Sequence, residues 1–183
     1  MRVISGKYKG KKLLGYDIEG TRPTQDRVKE SLFAMIQSDL MDATVLDLFA
    51  GSGNLGIEAL SNGANQAYFV DYNSKCIEAL NYNLKSISVS ATGVLQLDYK
   101  KALNYFREYN LCFDIIFLDP PYTLECLDGL LQKINEYGLL KADGLIVCEY
   151  EFAQFQENYL GLELEKEKTY GYKHIRIYRK VSL

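Results

Sequence analysis

Histidine is almost missing from this chain: among 183 residues there is one, His174. A zinc site built on several histidines, or a Ser-His-Asp triad, has little material to work with. Cysteine is present but not patterned. Cys76, Cys112, Cys126 and Cys148 form no C-x-x-C pair, and several fall in apolar segments. They read as buried free thiols in a reducing cytoplasm rather than a disulfide framework. No stretch of about eighteen apolar residues occurs, so no helical membrane span is expected. The opening MRVISGKYKGKK is charged and lacks an apolar stretch, so it does not read as a signal peptide. Repeats and low-complexity segments are also missing. Proline is scarce, with three residues, and two of them are adjacent at 120 and 121.

Apolar content of 48% and charged content of 25% describe an ordinary globular chain. Its length suits one domain with a real core, 1–183, divided into a basic arm (1–20) and a main body (21–183). Net charge is −3, which alone does not suggest a nucleic-acid partner. The distribution does: Arg2, Lys7, Lys9, Lys11 and Lys12 are gathered at the start with no acid among them. A local basic face binds phosphates even on a slightly acidic molecule.

Along the chain, Arg2 to Leu14 reads as a short β-hairpin or extended arm. Thr24 suits a helix N-cap, and Val28, Leu32, Met35, Ile36 and Leu40 follow at helical spacing, predicting a helix from about Gln25 to Leu40. Strands are expected at Val45–Phe49, Ala67–Val70, Thr92–Leu97, Phe113–Leu118 and Gly144–Tyr150. Helices are expected between them at Asn54–Asn62, Asn73–Ser86, Lys100–Tyr109 and Leu124–Tyr137. Leu162–Tyr170 and Lys173–Val181 alternate polar and apolar residues around Gly171, as an antiparallel hairpin does. The alternation predicts an α/β fold with a mostly parallel, doubly wound sheet finished by an antiparallel pair.

Two stretches carry chemistry. The first is VLDLFAGSGNLG, Val45 to Gly56. Here a strand runs into the turn Ala50-Gly51-Ser52-Gly53, whose glycines let a ligand approach the backbone closely. Gly51, Gly53 and Gly56 also fit the dinucleotide fingerprint, which alone is a weak signal. Asp71, at the tip of the next strand, is placed to accept hydrogen bonds from ribose hydroxyls. Asp47, inside the first strand, suits an ammonium-bearing ligand and would repel a pyrophosphate. Asp98, ending the third strand, has two readings: an acceptor for an adenine amino group, or a helix N-cap. The second stretch is FDIIFLDPPY. Five of the six residues from Phe113 to Leu118 are apolar, as in a buried parallel strand. Pro120 and Pro121 then force the backbone out of the sheet. Asp119 and Tyr122 are left at the carboxyl end of a strand, the edge where open α/β sheets bind ligands.

These motifs resemble those of class I S-adenosylmethionine-dependent methyltransferases. RVISGKYKGKKL, RPTQDRVKESLF, LDLFAGSGNLGIEALSNGA, FDIIFLDPPY and YGYKHIRIYRK together resemble the RsmD family nearly end to end. That family comprises bacterial 16S ribosomal RNA guanine-N2-methyltransferases. The resemblance implies a Rossmann-like fold with a seven-stranded sheet, S-adenosylmethionine as cofactor, and 16S rRNA of the small ribosomal subunit or an assembly intermediate as partner. The cysteines fit a cytoplasmic protein, the single histidine and the lack of a long apolar run give no reason to expect a metal or a membrane, and a monomer is the default expectation, with the oligomeric state open. By the resemblance, Asp119, Pro120, Pro121 and Tyr122 are then the catalytic group, and Asp47, Ala50, Gly51, Gly53, Asp71 and Asp98 hold the cofactor. Thr24, Arg22 and Arg27 match the block that precedes the first strand. They close over the cofactor or approach the target, or else are a helix cap and surface charges. The basic residues of the arm are candidate RNA contacts. Asp71 departs from the many relatives that carry Glu there, and either acid serves.

Three rival readings are open. An N6-adenine methyltransferase shares the D-P-P-Y chemistry, but no segment is spare for reading DNA sequence. An NAD-dependent oxidoreductase leaves Asp119-Pro120-Pro121-Tyr122 unexplained. A non-catalytic RNA-binding module does not need that group intact.

Overall fold

The computed structural model describes residues 1–15, 22–121, 127–156 and 158–182, and for residues 22–25 the backbone only. Among these residues seven strands form one sheet in the order β3-β2-β1-β4-β5-β7-β6. They are β1 (Thr44–Asp47), β2 (Gln66–Asp71), β3 (Gly93–Gln96), β4 (Phe113–Leu118), β5 (Leu140–Tyr150), β6 (Leu162–Tyr170) and β7 (Lys173–Lys180). The first five are parallel, and β7 pairs antiparallel with both β5 and β6. Among the described residues five α-helices accompany them: α1 (Arg22–Met35), α2 (Asn54–Ser61), α3 (Ser74–Ser86), α4 (Tyr99–Glu108) and α5 (Leu127–Glu136).

The strands are apolar on both faces because both faces are covered. Val45, Ile115, Phe117, Leu145 and Val147 pack with Val28 and Leu32 of α1, Ile36 just after it, Ile57 of α2 and Leu80 of α3. Their chain neighbours Leu46, Ile116, Leu118, Ile146 and Cys148 pack on the other side with Leu103 and Phe106 of α4 and Leu130 and Ile134 of α5. Alternation within each strand thus divides one run of apolar residues between two cores.

The order reverses at β1: β2 and β3 lie on one side, β4 and β5 on the other. A crevice therefore opens beyond the carboxyl ends of β1 and β4, where ligands bind in doubly wound sheets. Both motifs converge there, since Asp47 ends β1 and Asp119 follows β4.

Several expectations are corrected in detail. α1 starts at Arg22, so Thr24 lies inside its first turn rather than capping it. Pro23 is tolerated there because the first-turn N–H groups have no helical partner. α1 stops at Met35, and a separate 3-10 turn spans Gln37–Asp39. β5 begins at Leu140, four residues before the expected Gly144, because Leu140 already pairs with Phe113 across an irregularity in the β4 ladder. Of the described cysteines only Cys148 is buried; Cys76 is half-buried and Cys112 exposed. Cys126 and Tyr122 lie outside the described residues.

Candidate active site

The turn after β1 needs its glycines for different reasons. Gly51 and Gly53 have φ of 54° and 92°, the left-handed region that side chains disfavour. A Cβ at Gly53 would also meet Leu80 Cδ1 at 2.4 Å, and one at Gly56 the Phe69 ring at 2.3 Å. Nothing lies within 4 Å of a Cβ built on Gly51. Packing thus fixes Gly53 and Gly56, while the face of Gly51 stays open for a close approach.

Two carboxylates hold this turn. Asp71 Oδ2 accepts from the Gly51 N–H at 2.8 Å, and Oδ1 accepts from the Asn73 N–H at 2.9 Å. Asp71 therefore ties the tip of β2 to the turn as well as facing the crevice. Asp47 Oδ2 accepts from the Gly56 N–H at 2.9 Å. Its Oδ1 is buried and has no hydrogen-bond partner among the described residues. Burial pushes the Asp47 carboxyl up to about 7, against the Gly56 hydrogen bond, with the Asp71 charge adding to the rise. An orphaned carboxylate oxygen of this kind seeks a cationic donor. The ammonium group of S-adenosylmethionine is one, so the residues present fit that cofactor.

Beside the turn a cavity of about 560 Å³ is lined by Phe49, Asp71, Tyr72, Cys76, Asp98, Tyr99, Asp119, Pro120 and Pro121, among others. Asp47, Ala50, Gly51 and Gly53 are not part of that lining; Asp47, 1% exposed, is buried at the end of β1. Asp98 does cap α4, accepting from the Lys100 N–H at 2.9 Å, and it also lines the cavity. Both readings of that residue are thus compatible. Phe49 and Tyr99 approach at 5.5 Å between ring centroids and give the cavity an aromatic wall. Sequence reasoning missed them; the signal was their place next to the glycine turn and next to Asp98.

Asp119 lines this cavity, and Pro120 and Pro121, which follow it, border both this cavity and a second one of about 810 Å³. Its carboxyl is held well above the usual range by burial first and then by the nearby Glu149 charge, with Lys173 opposing and Asp47 adding. Glu149 and Lys173 form a buried ion pair. Glu149 was not singled out in the sequence, because an acid in an apolar strand looks ordinary until the strands are paired, and Lys173 reads there only as a surface cation of the basic tail.

The basic arm is a two-stranded turn, with a bridge between Arg2 and Lys12. Val3 and Leu13 are buried, whereas Arg2, Lys7, Lys9, Lys11 and Lys12 are all exposed. Arg27 is exposed as well. Arg2 pairs with Asp26 at 3.0 Å. The side chains of Arg22 and Thr24, like Tyr122, are outside the described residues. The arm is bound to α2 through Glu58, which accepts from the Ile4 and Ser5 N–H groups at 2.9 and 2.7 Å. Lys29, 2.9 Å from Glu58 and equally buried, donates to the Arg2 carbonyl and to Asn54 Oδ1. Asn83 completes the attachment, bonding both backbone groups of Leu14 and the Ser52 carbonyl of the glycine turn.

A seven-stranded sheet of this order, with its crevice at the reversal point and an antiparallel last pair, is the class I methyltransferase fold. The chain belongs to the RsmD family: the family model described as conserved hypothetical protein 95 matches residues 1–179. The YlbH protein of Bacillus subtilis is 42% identical over 182 residues, 98% of this chain and 99% of that one. Ribosomal RNA small subunit methyltransferase D of Haemophilus influenzae is 33% identical over 181 residues, 98% of this chain and 93% of that one. Among solved structures, the yhhF protein of Escherichia coli superposes with a TM-score of 0.86 at 30% identity, covering 100% of this chain and 99% of that one.

Proposed function

We propose that this protein transfers a methyl group from S-adenosylmethionine to the exocyclic N2 amino group of a guanine in 16S rRNA of the small ribosomal subunit. The observation that carries the proposal is the position of Asp119. It follows the strand beside β1 and lines the cavity at the glycine turn, next to Pro120 and Pro121, which also border a second cavity large enough for a nucleobase. Whole-length similarity to a small-subunit rRNA methyltransferase supports the RNA class.

The N2 lone pair of guanine is delocalised into the ring and is a poor nucleophile. The Asp119 carboxylate and the Pro120 carbonyl accept from its two N–H groups and favour a pyramidal nitrogen. When bound, the cofactor supplies a sulfonium methyl group, an electrophilic carbon with a good leaving group. Positive charge developing on the nitrogen as it takes that methyl group would be stabilised by these oxygens, and would be discharged when N2 loses one of its protons. Asp119 must be ionised for this, and a donor-rich base edge favours that form. Tyr122 stacks on the base and sets its angle to the methyl group. Asp71 and Asp98 hold the nucleoside part of the cofactor, Asp47 its ammonium group, and the open face of Gly51 admits it. Thr24, Arg22 and Arg27 close over the site. The target must be unpaired or flipped out, since a stacked base does not expose its amino group to the crevice. Arg2, Lys7, Lys9, Lys11 and Lys12 bind RNA phosphates. The chain works as one cytoplasmic catalytic unit and as a monomer, with the arm (1–20) as its RNA grip and 21–183 as its core.

The test is nucleoside analysis after incubation with methyl-labelled S-adenosylmethionine and small subunits lacking the modification. Label in N2-methylguanosine at a single 16S position is expected. Label in N6-methyladenosine overturns the target base, and absence of label despite cofactor binding overturns the reaction.

A further inference from the structure

We propose that Glu149, held in place by Lys173, is the residue that reads the Watson–Crick edge of the target base, accepting the N1–H that guanine has and adenine lacks. The inference rests on the guanine-N2 reading above and assigns that site its specificity-determining residue.

Leu118 pairs with Cys148 in the parallel β4–β5 ladder, so the next residues, Asp119 and Glu149, sit side by side at the carboxyl edge. Neighbouring strands are about 5 Å apart, and paired residues of parallel strands point to the same face. Lys173 reaches the same place from β7, whose Ile175 pairs with Glu149. Lys173 Nζ donates to Glu149 Oε1. Glu149 also lines the second cavity together with Pro120 and Pro121. A base whose N2 amino group lies against Asp119 and the Pro120 carbonyl therefore turns the rest of its Watson–Crick edge toward Glu149.

The chemistry of that edge decides what fits. Guanine presents three N–H bonds in a row, one on N1 and two on N2. Two neighbouring carboxylates and a carbonyl are acceptors only, and they match this row of donors. Adenine presents an amino group beside the bare N1 lone pair. Set against a carboxylate, that lone pair is a repulsive acceptor–acceptor contact and leaves buried groups unpaired. A carboxylate has lone pairs for about four hydrogen bonds, so accepting from Lys173 leaves Glu149 able to accept from a base. Lys173 is a positioning residue here: it holds one oxygen and offsets the charge of two adjacent acids.

The test compares guanine with 2-aminopurine at the target position of otherwise identical reconstituted small subunits. 2-Aminopurine keeps the N2 amino group but has an acceptor at N1. The wild-type protein should favour guanine in kcat/KM by at least about tenfold. In Glu149→Gln, Lys173 still calls for an oxygen and so turns the amide NH2 toward the cavity, where it donates to N1 of 2-aminopurine. The preference for guanine should fall by at least about tenfold relative to wild type, or reverse. Intrinsic reactivity of the two bases cancels in that comparison. Equal loss on both bases with cofactor affinity retained would make the pair merely structural, and an unchanged preference would remove Glu149 from recognition; either result overturns the inference. Should Glu149→Gln not fold, Glu149→Asp keeps the charge but withdraws the acceptor, and its loss should be larger on guanine than on 2-aminopurine. Equal losses there also overturn it. Failure of the guanine-N2 reading itself shows separately, as wild-type protein that forms no N2-methylguanosine on unmodified subunits.

Discussion

Asp47 shows how a single buried side chain links cofactor and pH. Its folded-state carboxyl, pushed up to about 7, lies above its unfolded value of 3.8. Ionisation therefore costs stability: the cost is absent below about pH 4, grows between the two values and is complete above about 7. An ammonium ligand beside the ionised carboxylate recovers that cost. Cofactor affinity of the wild-type protein should thus weaken as pH falls below about 7. In Asp47→Asn the affinity should be at least about tenfold weaker at pH 8 and lose that pH dependence, while the ligand-free protein melts at a higher temperature than wild type. Calorimetric titrations and thermal melts across pH 5 to 8 check both statements. Residue types at this scale were legible from the chain: acids after strands and glycines in a turn name their chemistry directly. What was not legible is which partners they take. Asp71 looked free for a ribose, yet two backbone N–H groups already occupy it. Glu149 gave no signal at all, because its meaning comes from β4 and β7 beside it.

At the scale of elements, the N-terminal arm is an appendage only in sequence. Its backbone donors end on Glu58, and Lys29 closes the network from α1. Burial lowers the Lys29 ammonium from its ordinary value, against the opposing pull of Glu58. Such a pair is stable only while every member is partnered. Glu58→Ala should strand the Lys29 charge and cost about 3–5 kcal/mol. In chemical denaturation it should lower the midpoint, and amide exchange at Ile4 and Ser5 should quicken. Glu58→Gln should retain part of the network and lose less. Strand and helix cores were well placed by periodicity, since β4 and β6 match residue for residue. The errors are at ends, where tertiary pairing overrides local pattern: β5 extends to Leu140 through pairing with Phe113. The buried Glu58 was hidden for another reason. A glutamate in an amphipathic helix reads as solvated unless the element covering it is known.

At the scale of the molecule, the crevice exists because the strand order reverses at β1, and no residue alone encodes that. The alternation of strands and helices did imply it, which is why the sheet was foreseeable before its neighbours were. The charge pattern is also global: a chain of net charge −3 presents five cations on one arm. If these grip phosphates, replacing Lys7, Lys9, Lys11 and Lys12 by Gln should flatten the salt dependence of RNA binding by up to about four counterions, while cofactor binding stays unchanged. A face that is merely solvated would leave the slope as it was. At the centre of the mechanism, Asp119, beside the two prolines that border both cavities, activates the target amino group. Single-turnover methyl transfer to unmodified small subunits by Asp119→Ala, with cofactor affinity measured in parallel, tests it most directly. The rate should fall about 10²- to 10³-fold below wild type with cofactor affinity retained. A rate close to wild type would contradict that role.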